Sequence, residues 1–158
     1  MSLMAFEKRY GRIPTDRIFC IERSPYAKVI SAANMAGKFA DYKMDGRTME
    51  FGLEGVRKVI RKRLRVGRIQ SCLNIERYRS SDGAVRIRAI RYEGLPDSFN
   101  SLMAEYGISP VPALPHAKRG GNSNSMDPRE VLTREQIAEI NKVYAEEFHP
   151  LGFKMIFL

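Results

Sequence analysis

The segment RIFCIERSPYAKVIS, Arg17 to Ser31, constrains the fold more than any other stretch. Ile18 to Ile21 is an unbroken apolar run, and a run of that kind suits a strand covered on both faces, as strands of parallel sheets are. Ser24 and Pro25 follow almost at once. A serine hydroxyl accepts from a free N–H at a helix start, and proline fits the first helical position because its missing N–H costs nothing there. The spacing then predicts a helix with Tyr26, Val29, Ile30 and Ala33 on one face. A strand feeding directly into a capped helix is half of an α/β unit. It sets free backbone N–H groups and the positive end of the helix dipole beside the strand's carboxyl end, where an anion is favoured. Arg23 stands at that junction, and Ser31 lies about two turns into the helix.

The remaining chain alternates helix and strand signals. From Leu53 to Val66, Leu53, Val56, Val59, Ile60 and Leu64 recur at helical spacing, while Arg57, Lys58, Arg61, Lys62, Arg63 and Arg65 fill the other side; this predicts a strongly basic amphipathic helix. Asn74 to Tyr92 reads as two strands joined at Asp82-Gly83, a dipeptide that tolerates the positive φ of a tight hairpin. Pro96-Asp97 opens a third helix with Phe99, Leu102, Met103 and Tyr106 along one stripe and Gly107 at its left-handed cap. Ser109 to Pro128, rich in proline and carrying Gly120-Gly121, reads as a long loop of the sort that often serves function. Thr133 and Gln136 have capping-box spacing ahead of a last helix bearing Ile137, Ile140, Val143, Tyr144 and Phe148.

Composition sets the outer bounds. The chain has 158 residues, 44% of them hydrophobic, which is enough for one core and short for two, so a single domain over 17–158 is expected behind a leader over 1–16. The first four residues read as a cloning remnant ahead of a start at Met4. With 27 Lys and Arg against 18 Asp and Glu, the net charge of +9 attracts phosphates, nucleic acid or acidic sugars without choosing among them. Cys20 and Cys72 sit among apolar neighbours, as inert reduced thiols do, and suggest neither a disulfide framework nor a metal site. Without a membrane-length apolar run or a secretory leader, a cytoplasmic protein is expected.

Taken in order, four segments resemble the PAPS-dependent sulfotransferases, especially their carbohydrate-type members. RIFCIERSPYAKVIS is similar to the strand and helix that hold the 3'-phosphate of PAPS, with Arg23, Pro25 and Ser31 at the matching positions. IRAIRYEGLPDSFNSLMAEYGI is similar to a strand ending in an aromatic-Glu pair, here Tyr92 and Glu93, followed by a helix. LPHAKRGGNSN resembles the basic glycine-bearing loop that folds over that phosphate, and LTREQIAEINKVYAEEFHPLGF resembles the final helix. The resemblance spans roughly residues 17–153. It implies a P-loop-like α/β fold with a parallel sheet flanked by helices, PAPS or its product PAP as the nucleotide, and sulfonyl transfer to a hydroxyl, as of a carbohydrate. It gives Arg23 and Ser31 the 3'-phosphate, makes Tyr92 an adenine-stacking residue, and makes Lys118, Arg119 and Gly120 further phosphate contacts, with His116 a phosphate or acceptor contact.

The resemblance also implies a 5'-phosphosulfate loop between an N-terminal strand and helix, and nothing upstream of Ile18 has that pattern. Lys8, Arg9 and Gly11 lack the flanking strand and helix a phosphate cradle requires. An N-terminally truncated or degenerate sulfotransferase fold is therefore expected, with homodimerisation through the face so exposed. No catalytic base is assignable; Glu22 is more simply an ion-pair partner of Arg23. The alternative is a non-catalytic basic module for nucleic acid or another anionic polymer. Nucleic acid is argued against by the absence of zinc-ligand spacing and of an aromatic RNA-binding signature, and by the spread of cations over several elements.

Overall fold

The computed structural model describes residues 1–12, 14, 18–44, 53–109 and 127–158, with backbone only over 37–44. The chain is mixed α/β and divides into two compact units, Met1–Arg23 with Asn74–Gly121, and Ser24–Leu73 with Asn122–Leu158.

Among its described residues the first unit holds a two-stranded parallel sheet, β1 (Phe19–Glu22) beside β2 (Arg88–Arg91), with Phe19 opposite Arg88 and Glu22 opposite Arg91. Side chains alternate across a strand, so Phe19 and Ile21 share one face and Cys20 and Glu22 the other. Helix α4 (Asp97–Glu105) supplies Leu102 and Met103, which bury with Ile90, and Phe99, whose ring lies 6.2 Å from that of Phe19. The expectation of a strand buried on both faces is corrected here: Phe19 and Ile21 remain 41% and 45% exposed. Two strands and one short helix do not cover an apolar face completely. α4 ends as its sequence predicts, with Gly107 at φ 68° and the Ile108 N–H donating to the Met103 carbonyl at 3.0 Å.

The expected hairpin over 74–92 is also corrected. Ile75–Tyr78 is a 3₁₀ turn, and Arg79 and Val85 make a single antiparallel bridge. The tight turn is present between them, with Gly83 at φ 81° and the Ser80 N–H donating to the Ala84 carbonyl at 2.8 Å. β2 then takes its partner from β1, because that register puts Ile90 onto Leu102 and Met103. At the N-terminus, α1 (Leu3–Tyr10) is capped by the Ser2 hydroxyl and buries Leu3 and Glu7. The Glu7 carboxylate accepts from the Ser80 hydroxyl and the Ser81 N–H, each at 2.8 Å, which ties the helix to the turn.

The second unit is helical: α2 (Pro25–Met44), α3 (Leu53–Arg65), α5 (Pro128–Val131), α6 (Arg134–Val143) and α7 (Ala145–Phe148). Pro25 opens α2, and the Ser24 hydroxyl accepts from the Ala27 N–H at 3.2 Å. Tyr26, Val29, Ile30 and Ala33 of α2 form one core with Val56 and Ile60 of α3 and Ile137 and Ile140 of α6. Thr133 and Gln136 close the predicted capping box. The helix expected through Phe148 breaks at Tyr144, which is fully buried and donates its hydroxyl to the Ile69 carbonyl at 2.6 Å. Arg57 is committed to the Val131 and Glu130 carbonyls, and Lys28 pairs with the buried Glu147 at 2.8 Å. No helix among the described residues is long and apolar enough to cross a membrane.

Candidate functional site

Parallel sheets offer ligands the carboxyl ends of their strands, where side chains from neighbouring strands converge beyond the last backbone pair. Glu22 and Arg91 form that last pair here, so the next residues on each strand, Arg23 and Tyr92, emerge side by side. The Arg23 guanidinium carbon lies 3.6 Å from the centroid of the Tyr92 ring. A planar cation over an aromatic face is attracted by the ring's quadrupole and held in orientation. Such a guanidinium still donates from its edge, so stacking and the forked grip on a phosphate use different directions of one group. Tyr92 keeps 38% of its surface exposed and opens a short 3₁₀ turn through Gly94, with Glu93 exposed beside it.

Beneath this pair lies a polar cluster. Glu22 is only 3% exposed, and its carboxylate accepts from Asn74 Nδ2 at 2.8 Å and from the Tyr78 hydroxyl. Burial, followed by the hydrogen bond to Glu22 and the nearby Cys20, pushes the Tyr78 hydroxyl well above its ordinary range, so it remains a neutral donor. A carboxylate sunk under these donors is an anchor for the end of β1. It is poorly placed to take a proton from an incoming hydroxyl, which a general base must approach within hydrogen-bonding distance.

Of the residues singled out from the sequence, Arg23 and Tyr92 are brought together in the first unit, despite lying far apart in the chain. Ser31 is half-buried on α2 and belongs to the second unit. His116, Lys118, Arg119 and Gly120 lie outside the described residues. Asn74 and Tyr78 had no sequence signal, since their role follows from the distant partner Glu22. Comparison with protein-family models, with curated proteins and with solved structures finds no match to this chain.

Proposed function

We propose that this chain is a sulfotransferase-like protein of P-loop-like fold that binds PAPS or PAP and serves sulfonyl transfer to a hydroxyl, with a carbohydrate as the acceptor class. Arg23 takes the 3'-phosphate and Tyr92 the adenine. Lys118, Arg119 and Gly120 join them on the sequence resemblance alone, which also names Ser31 of the second unit. The observation carrying this reading is the Arg23–Tyr92 stack at adjacent carboxyl ends of two parallel strands, since both residues were drawn from separate motifs of one nucleotide site. In the proposed reaction an acceptor oxygen bonds to sulfur, the bond from sulfur to the 5'-phosphate oxygen breaks, and PAP and a proton leave. Cations then stabilise charge building on the departing phosphate.

Thermal unfolding in the presence of PAP tests the reading. A ligand at 100 times its Kd stabilises a folded protein by about 2.7 kcal/mol. The intact chain should show the corresponding rise in Tm, and Arg23→Ala should lose it while keeping its own unliganded Tm. A rise that is equal in Arg23→Ala, or none in the intact chain, contradicts the assignment.

A further inference from the structure

We propose that the exposed face of α3 is a docking ladder for a linear acidic polysaccharide, built from residues other than Arg23 and Tyr92 and independent of the nucleotide reading. Successive helical residues turn by about 100°, so Lys58, Arg61, Lys62 and Arg65 fall within an arc of about 100°. All four are exposed, on the side of the helix opposite the buried Val56 and Ile60. The helix carries a single acid, Glu54, which is 75% exposed and stands 4.0 Å from Arg61, too loose a contact to neutralise the row. Four like charges at i, i+3, i+4 and i+7 repel one another and weaken an isolated helix. Burial of Val56 and Ile60 in the core holds the row in place against that repulsion, leaving its positive field open to an anionic partner.

The geometry selects the polymer. Cations on this face recur once per turn, about every 5.4 Å. A polysaccharide with an anionic group on each sugar ring presents its charges at a comparable interval along one chain. Duplex DNA presents one charge per about 1.7 Å of axis, a much denser array. The face has no aromatic ring on which single-stranded bases could stack and no amide side chain to read base edges. Its apolar side is committed to the core, so the helix cannot lie in a lipid interface.

The test measures binding of a galacturonate octasaccharide, with one carboxylate on each ring, at about 0.1 M salt, where screening extends about 10 Å, to the intact chain and three triple variants. Lys58→Gln with Lys62→Gln and Arg65→Gln should weaken binding at least tenfold and flatten the dependence of log Kd on log salt by about 2, from roughly 0.7 per charge removed. Arg134→Gln with Lys142→Gln and Lys154→Gln removes the same exposed charge elsewhere and should weaken it less than threefold. Lys58→Arg with Lys62→Arg and Arg65→Lys keeps the charge and should bind as the intact chain does. Equal loss in the two glutamine variants would reduce the effect to net charge and overturn the proposal. So would a short DNA duplex that binds as tightly as the octasaccharide.

Discussion

Glu22 shows how much one buried side chain can decide. A carboxylate 3% exposed is tolerable only while donors surround it, and Asn74 and Tyr78 are two of them. Replacing Tyr78 by Phe removes one donor and leaves the charge under-satisfied, which should cost about 1–3 kcal/mol in urea unfolding; an unchanged midpoint would mean that water or another group takes its place. Two other acids add to the acid sensitivity of the first unit. The Ser81 N–H, then the Ser80 hydroxyl, hold Glu7 below its ordinary value, and Arg86, then the Ala84 N–H, hold Asp82 down at about 2. Both groups are more acidic folded than unfolded, so their stabilisation is complete above the ordinary carboxylate range. It is lost as pH falls through that range toward about 2. Acid titration by circular dichroism should therefore show unfolding that begins at higher pH in Ser80→Ala, which removes the hydroxyl from Glu7, and coincident titrations would contradict this role.

At the scale of elements, the caps carry the sharpest expectations. The Thr133 hydroxyl accepts from the Gln136 N–H at 3.3 Å, and the Gln136 side chain accepts from the Thr133 N–H at 3.1 Å. Thr133→Ala should cost about 1 kcal/mol in chemical denaturation, and Thr133→Ser should restore most of it. This box, the Ser24-Pro25 start of α2, the amphipathic α3 and the Gly107 end of α4 were all legible in the sequence, because each depends on residues within about a turn of one another. Elements chosen by distant partners were not. The alternation over Val85 to Ile90 suits a hairpin locally, yet β2 pairs with β1 in parallel, since burying Ile90 on Leu102 and Met103 outweighs the preference of the turn. Likewise α1 depends on Glu7 reaching Ser80 and Ser81, which no spacing within the leader reveals. The candidate site was half legible: Arg23 and Tyr92, which the fold places together, stand out in separate segments of the sequence, whereas the Asn74–Glu22–Tyr78 cluster beside them required the fold.

At the scale of the whole molecule, a parallel pair of strands in one unit and a helical core in the other are each pinned by buried polar contacts. In the helical unit the Lys28–Glu147 pair, with Glu147 fully buried, ties α2 to α7. Breaking it with Lys28→Ala should cost about 3–5 kcal/mol, because the buried carboxylate loses this ion-pair partner; the double variant Lys28→Met with Glu147→Leu should lose far less. Equal losses in the two would show that packing, not charge, governs the contact. In the other unit, Arg23 and Tyr92 are proposed to grip a 3'-phosphorylated adenine nucleotide. Isothermal calorimetry of PAP against adenosine 5'-monophosphate isolates that phosphate directly, in the intact chain and in Arg23→Ala. PAP should bind the intact chain at least tenfold more tightly than the monophosphate, a difference of about 1.4 kcal/mol, and Arg23→Ala should abolish the preference. Equal affinities in the intact chain, or a preference that survives the substitution, would contradict the proposal.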